Sequence, residues 1–262
     1  MQRRDFLQAS VTTTTAAAAS AACGLAVAAP APGTPRQLYE WRTYRLNDKA
    51  KQARLHDYLK SAAIPAWKNI GLGPVGVFTE IGPEAGASIH VLLVYPTPDL
   101  LASARESLEQ DANYKAAAAD HLAATKEDPA FDRIESSLLL AFAGTPKITP
   151  PAKKLRVLEL RTYENAGEDR ARAKVDMFND GEAQIFPKCG FENVFFGETL
   201  IGPAIPNLKY MLAAPSMEAN AAGWKKFLEH PDFRRMIADP KYANTEPKIT
   251  KLFLEPTDYS QV

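Results

Sequence analysis

The chain has 262 residues, and its 31 lysine and arginine residues balance 31 aspartate and glutamate residues. A formal net charge of zero argues against the strongly basic surface that nucleic acids and anionic membranes select, so we expect no nucleic-acid partner. With a hydrophobic fraction of 46%, the length is sufficient for one large domain or two small ones with packed cores.

The first 28 residues have the composition of an export signal. Arg3 and Arg4 precede a run of weakly apolar Ala, Thr and Val residues, and residues 26–28 form a small-x-small cleavage pattern. The segment resembles the signal of the bacterial twin-arginine pathway, which implies a periplasmic or otherwise exported protein. Lipid attachment at Cys23 is the alternative. Residues 29–37 read as a linker, and we expect no transmembrane segment in the mature chain.

A comparison of the sequence with itself indicates an internal repeat. The pattern Glu-x-Arg-Thr-Tyr occurs at 40–44 and again at 159–163, and Ile-Gly-Pro occurs at 81–83 and at 201–203. Because these blocks keep their order and spacing, we predict a duplicated chain. The predicted division of the mature chain is module 38–143, linker 144–153, module 154–256 and tail 257–262.

The first module opens with an alternating strand and a helix. Polar and apolar residues alternate from 38 to 46, and apolar residues at helical spacing then predict a helix from 48 to about 63. Two further strands, at 75–81 and 89–95, flank a Gly-Pro turn and predict a hairpin.

The remainder of the first module predicts helix and then strand. Thr97 and Pro98 supply an N-cap and a first-turn proline for a helix that runs to about Gln110. An Ala-rich helical stretch follows at 114–125, and a strand at 134–142 closes the module.

The second module is predicted to repeat the same order. Its predicted strands are 156–164, 191–200, 208–214 and 249–254, and its helices are 169–185 and 217–229. The order β-α-β-β-α-β is the ferredoxin-like pattern of the α+β class. Each such module leaves one sheet face bare, so two sheets packed face to face predict a closed, barrel-like pseudo-dimer with helices outside.

Alternation along the opening strands places Glu40, Arg42 and Tyr44 on one face. The second module repeats this polar set as Glu159, Arg161 and Tyr163. Since the opposite face is more apolar, we expect both sets to point into the space between the two sheets. One hypothesis makes them a ligand-binding or catalytic set, with Arg binding an anion and Glu acting as a base. The other makes them a buried polar network that fixes how the modules dock.

His90 is the remaining candidate for a cavity residue. It lies on the predicted third strand, on one face with Leu92 and Val94, and its counterpart in the repeat is Lys209. If that face is the inner one, His90 is a candidate base or haem ligand; a structural histidine that is hydrogen-bonded, or one exposed at the sheet edge, is the alternative. The four histidines are not at metal-ligand spacing, so we expect no metal site and no cofactor.

The repeated Glu-x-Arg-Thr-Tyr strand, the Ile-Gly-Pro hairpin and the two βαββαβ modules resemble the NIPSNAP family. The resemblance implies the dimeric α/β-barrel fold, whose superfamily includes cofactor-free monooxygenases, haem-degrading enzymes and isomerases. It therefore implies a small-molecule-binding or protein-interaction module, with a small-molecule ligand, a homo-oligomer or a protein partner all open. The alternative is a cofactor-independent monooxygenase or isomerase acting between the two sheets. The sequence does not decide whether the protein is an enzyme.

Overall fold

The computed structural model describes residues 34–83, 85–152 and 156–262. The predicted twin-arginine signal and Cys23 lie outside these described residues. Eight antiparallel strands close into one barrel, and helices cover its outside. The α+β class and the barrel predicted from the sequence are therefore confirmed.

The strands of the barrel are numbered in chain order. They are β1 (Leu38–Arg45), β2 (Gly76–Glu80), β3 (Ile89–Tyr95), β4 (Arg133–Ala141), β5 (Val157–Glu164), β6 (Glu192–Ile201), β7 (Asn207–Ala214) and β8 (Lys248–Pro256). Around the barrel they follow the order β1-β3-β2-β8-β5-β7-β6-β4. Strands of the two halves of the chain meet at two seams, β2 with β8 and β4 with β6.

The helices of the two halves occur at corresponding places. The first half has α1 (Lys49–Tyr58), α2 (Ile64–Asn69), α3 (Pro98–Gln110), α4 (Ala112–Ala117) and α5 (Ala119–Leu122). The second half has α6 (Glu168–Met177), α7 (Ala183–Lys188), α8 (Met217–Glu229) and α9 (Pro231–Ala238), followed by a 3-10 turn at Pro240–Tyr242. None of the helices in the described ranges is both long enough and apolar enough to cross a membrane.

Local sequence signals explain where the second helix of each half begins. Thr97 accepts a hydrogen bond from the backbone N–H of Leu100, and Ser216 accepts one from Ala219. These N-caps satisfy backbone donors that the first turn of a helix leaves unpaired. Helix α9 was not predicted, although Pro231 at its first position is a typical start signal.

The first helix of each half contains one wide, π-helical turn. The π segments are Leu59–Ala63, between α1 and α2, and Phe178–Glu182, between α6 and α7. In the second half the chain also bends at Gly181, whose φ of 149° is readily adopted only by glycine. Both helical regions extend beyond the predicted ends near 63 and 185, to Asn69 and Lys188.

The barrel interior is filled by apolar side chains. Large residues from all around the sheet meet there, among them Tyr39, Trp41, Phe78, Leu92, Leu139, Leu158, Leu160, Phe195, Met211 and Leu254. Each of these side chains is at most 6% exposed. The interior is therefore a packed core, with a cavity at one mouth of the barrel.

The predicted orientation of the polar sets is wrong. The interior face of β1 and β5 carries Tyr39, Trp41, Leu158 and Leu160, so the Glu-Arg-Tyr sets lie on the opposite face, against the helices. The physical reason is solvation: apolar side chains fill the interior face, whereas on the outer face Glu40 has hydroxyl donors from β3 and β4 and Glu159 has donors from α8. The alternation itself was predicted correctly.

Candidate functional site

The polar set of the first half forms a closed hydrogen-bond cluster. Glu40 accepts hydrogen bonds from Arg42 Nε at 2.9 Å and Nη2 at 2.8 Å, from Tyr95 Oη at 3.0 Å and from Ser136 Oγ at 2.7 Å. Arg42 Nη1 donates to Tyr44 Oη at 3.3 Å. Burial opposes ionisation of Glu40, but Arg42 and the two hydroxyl donors outweigh it and hold the pKa of Glu40 below its usual value.

Aromatic side chains cover this first cluster. Tyr58 stacks on His121 with ring centres 3.6 Å apart, and its hydroxyl lies 3.0 Å from that of Tyr114. Phe131 packs edge-on against Tyr44. A cavity of about 300 Å³ lies beside these rings, but Glu40 and Arg42 do not line it. Side chains of the protein itself therefore occupy the space next to Glu40 and Arg42, and we call this set the filled first cluster.

In the second half the corresponding carboxylate binds a different set of donors. Glu159 accepts hydrogen bonds from Arg161 Nε at 2.7 Å, from Asn220 Nδ2 at 2.8 Å and from Trp224 Nε1 at 2.6 Å. The last two donors come from α8. Because they occupy one carboxylate oxygen, Arg161 binds Glu159 through Nε alone, and no hydrogen bond joins its Nη2 to any described residue.

The guanidinium of Arg161 is held flat by its neighbours. Its central carbon lies 3.3 Å from the ring centre of Trp224, and Nη1 donates to Tyr163 Oη at 3.4 Å. Tyr210 Oη donates to Tyr163 Oη at 2.7 Å from behind. The stacking and these hydrogen bonds fix the plane of the guanidinium, which leaves one edge available for a bidentate or single hydrogen bond to an anion.

A cavity of about 650 Å³ lies in front of this arginine, between α6, α8, α9 and the outer face of β5 and β8. We call it the helix-side cavity. Its floor is Glu159, Arg161 and Tyr163, and its mouth is surrounded by exposed apolar residues. These rim residues are Met217, Leu228, Ile237 and Ile249, which are between 41% and 58% exposed. The volume is in the range of ligand-binding cavities.

A second buried ion pair lies at the inner wall of the helix-side cavity. Lys174 Nζ donates to Glu182 Oε2 at 3.0 Å, and both side chains are at most 8% exposed. Burial raises the pKa of Glu182, and Lys174 only partly offsets it. Glu182 lies at the end of the π segment, a wide turn that is often found at functional sites.

His90 lies on the inner face of the barrel, which was the condition for its being a candidate base or haem ligand. Its Nδ1 is 3.0 Å from Thr43 Oγ1, and its Nε2 is 2.8 Å from Glu80 Oε1. The ring stacks on Trp41 with centres 5.5 Å apart. The hydrogen bond from His90 holds the pKa of Glu80 below its usual value. Both ring nitrogens are therefore engaged by the protein, which favours the structural interpretation of this histidine.

The structure separates the seven predicted site residues into three places. Glu159, Arg161 and Tyr163 line the helix-side cavity, Glu40, Arg42 and Tyr44 form the filled cluster, and His90 lies in the barrel mouth. Sequence analysis missed Asn220, Trp224, Lys174 and Glu182. The available signal was a difference between the two halves of the sequence, since the residues at the same positions of α3 are Leu101 and Arg105.

Residues 158–261 match the family model of the NIPSNAP proteins. This NIPSNAP match includes the strand that carries Glu159, Arg161 and Tyr163 and all of α8 and α9. It confirms the predicted resemblance for the second half of the chain. No curated protein sequence matches the chain.

Solved structures with the same fold include three that cover most of the chain. A protein from Fusobacterium nucleatum, provisionally named a monooxygenase, has a TM-score of 0.55 at 8% identity over 84% of this chain and 92% of its own. A second provisionally named monooxygenase, from Lactobacillus acidophilus, has a TM-score of 0.53 at 12% identity over 84% and 94%.

The third structure is an anthrone oxidase-like protein, with a TM-score of 0.51 at 9% identity over 85% of this chain and 92% of its own. At such identities the similarity extends to the fold alone. These neighbours have dimeric α/β-barrel folds, which confirms that part of the resemblance.

Proposed function

We propose that the protein binds a small, largely apolar molecule with an acidic group in the helix-side cavity. The observation that carries the proposal is the free edge of Arg161, held flat at the floor of a cavity of about 650 Å³. A carboxylate or sulfonate would pair with that edge without displacing Glu159. The apolar part of the ligand would contact the rim and Phe233.

The fluorescent anion anilinonaphthalenesulfonate is a suitable probe, because its emission rises in apolar surroundings. Ala221 on α8 lines the cavity, whereas its neighbour Ala222 does not, and both are exposed. We expect Ala221→Trp to fill the cavity and to abolish probe binding, while Ala222→Trp binds as well as the wild type. Equal binding by the two variants would contradict the proposed location.

The role of Arg161 is tested by comparing two probes. Arg161→Lys keeps the charge but loses the planar edge, so the affinity for anilinonaphthalenesulfonate should fall about tenfold. The affinity for the neutral probe N-phenylnaphthylamine should not change. Arg42→Lys, in the filled first cluster, is the matched control and should affect neither probe. If Arg161→Lys lowers the affinity for both probes equally, Arg161 does not recognise the acidic group, and that part of the proposal is wrong.

A second candidate function is catalysis without a cofactor, as an oxygenase or isomerase acting in the same cavity. The observation that favours it is Glu182, a buried carboxyl whose raised pKa suits proton transfer and whose neighbour is the ammonium of Lys174. The names of two structural neighbours as provisional monooxygenases agree with this candidate. If it is correct, Glu182→Gln abolishes turnover of a bound substrate but leaves its affinity unchanged.

We further propose that the chain arose by tandem duplication of one βαββαβ module. The support is the repeated Glu-x-Arg-Thr-Tyr pattern together with the identical order of strands in the two halves. Expression of residues 34–143 alone tests this: a self-associating half barrel supports the proposal, and a chain that stays unfolded opposes it.

Export through the twin-arginine pathway is also proposed. Its support is the arrangement of Arg3 and Arg4 before a weakly apolar segment. Replacement of both arginines by lysine should retain the precursor inside the cell. Unchanged export of that variant would exclude this route.

A further inference from the structure

The barrel mouth contains a second cavity, on the other side of the sheet from the helix-side cavity. Its volume is about 280 Å³, and both His90 and Lys209 line it. The strands β3 and β7, which carry these residues, are four positions apart in the eight-stranded barrel and therefore face each other across the mouth. The register confirms that both side chains point inward, because His90 pairs with Thr43 and Lys209 with Thr162.

Lys209 is buried without a charged partner. The residue is 9% exposed. Among the described residues, Nζ donates one hydrogen bond, to Thr162 Oγ1 at 3.0 Å. No carboxylate of the described residues lies within ion-pair distance of Nζ. Burial lowers the pKa of Lys209 to about 8, although the more distant Glu164 partly counteracts it.

The other charged groups around the mouth do not compensate Lys209. They are Arg45 and Glu135, paired at 3.0 Å, Glu80, bonded to His90, Glu164, on the same inward face of β5 as Thr162 and bonded to Lys248, and Lys251 on the opposite face of β8. Each carboxylate already has a partner. The amine of Lys209 is thus a buried group of the mouth that has no ion-pair partner among the described residues.

The walls of the mouth define what could reach this amine. Trp41, Leu160 and Leu252 supply apolar surface, while Thr43 and Thr250 supply hydroxyl groups. The volume admits a molecule of roughly ten non-hydrogen atoms. A small uncharged ligand fits better than an ion, because Glu80 and Glu135 stand near Arg45 and no net charge dominates the rim.

We propose that Lys209 is a reactive amine that captures a small aldehyde in the barrel mouth as an imine. The lone pair of the neutral amine attacks the carbonyl carbon, a C–N bond forms, and the nitrogen loses a proton as the oxygen gains one. The resulting carbinolamine loses its hydroxyl group and the second nitrogen proton as water, which leaves a C=N bond. No oxidant or cofactor is required.

Trapping with cyanoborohydride makes this imine permanent and identifies its position. The folded protein is incubated with butanal near pH 7.5 and cyanoborohydride, digested, and the alkylated lysines are quantified by mass spectrometry. Lys225, exposed on α8, is the internal control. We expect Lys209 to be alkylated at least about tenfold faster than Lys225, because far more of it is unprotonated at this pH. Equal or slower alkylation of Lys209 overturns the proposal.

A variant at the mouth tests whether Lys209 reacts because butanal binds in the cavity or merely because its amine is reactive. Thr250 points inward at the exposed end of β8, so Thr250→Trp should close the mouth and suppress alkylation of Lys209 but not of Lys225. Unchanged alkylation of Lys209 in this variant would show that butanal does not enter through the mouth and would overturn the assignment. Lys209→Met should leave binding of anilinonaphthalenesulfonate intact, so this proposal and that for the helix-side cavity fail independently.

Discussion

The two halves of the barrel carry the same three residue types, Glu, Arg and Tyr, on their opening strands β1 and β5, but the surroundings of the two sets differ. In the first half, Glu40 receives its hydrogen bonds from neighbouring strands, and aromatic rings cover the cluster. In the second half, Glu159 receives them from α8, and a cavity remains in front of Arg161. The origin of the donors, rather than the strand motif, therefore determines whether the cluster is filled or open.

This difference shows why a repeated motif is a weak guide to a site. A buried carboxylate requires donors in both halves, so the Glu-Arg pair can be retained for solvation alone. The structural difference between the clusters lies in residues that are not repeated, such as Trp224, bonded to Glu159, against Arg105, paired with Glu109 on the surface. The variants below test how far the two clusters differ in energy and in pH response.

The largest expected effect separates the two arginines. Arg161→Ala should lower the free energy of unfolding by about 3–5 kcal/mol, because Glu159 is 1% exposed and would lose its ion-pair partner in a buried site. Arg42→Ala should cost only about 2 kcal/mol, since Glu40 is 14% exposed and water can solvate the carboxylate that loses its partner. Urea denaturation of both variants measures the difference. Equal losses would mean that the clusters are energetically equivalent.

A smaller effect is expected where the helices supply the donor. Trp224→Phe keeps the ring that stacks on Arg161 but removes the hydrogen bond to Glu159, so stability should fall by about 1–2 kcal/mol. Arg105→Ala changes the counterpart in the first half, an exposed residue paired with Glu109, and should have almost no effect. If both variants melt like the wild type, α8 does not stabilise the second cluster.

The smallest effect concerns acid stability. The folded-state pKa of Glu40 is lowered from 4.5, so its ionised form stabilises the fold above that pH and the contribution disappears as the pH falls through the folded-state pKa. The stability deficit of Glu40→Gln relative to the wild type should therefore shrink from about pH 7 to about pH 3. Glu109→Gln controls for loss of a surface charge. A deficit that is constant with pH would show that Glu40 is not stabilised by its charge.

Much of the fold could be predicted from local patterns. Strand alternation, the helical spacing and the caps at Thr97 and Ser216 placed nearly all elements, because these signals depend on neighbours in sequence. Helix α9 was missed, since none of its residues is fully buried and its apolar residues Phe233, half-buried, and Ile237, exposed, line a cavity.

The site was only half predictable. The sequence identified Glu159, Arg161 and Tyr163, but which face of β5 points inward depends on the apolar layers contributed by all eight strands, and one strand cannot reveal that. The pairing of Lys174 with Glu182 depends on the π turn and the bend at Gly181, neither of which has a periodic signal. Such long-range and irregular features require the assembled structure.

The short strand ladders at the seams between the halves determine where the native barrel opens locally. The ladder between β2 and β8 has three paired residues and that between β4 and β6 has four, interrupted by a bulge, whereas β1 pairs through seven residues with β3 and eight with β4. Native-state opening should therefore begin at these two lines, and amide protons there should exchange with solvent before those of β1 and β5. Transient separation along the seams would expose the apolar interior as two four-stranded sheets rather than by fraying of a single strand.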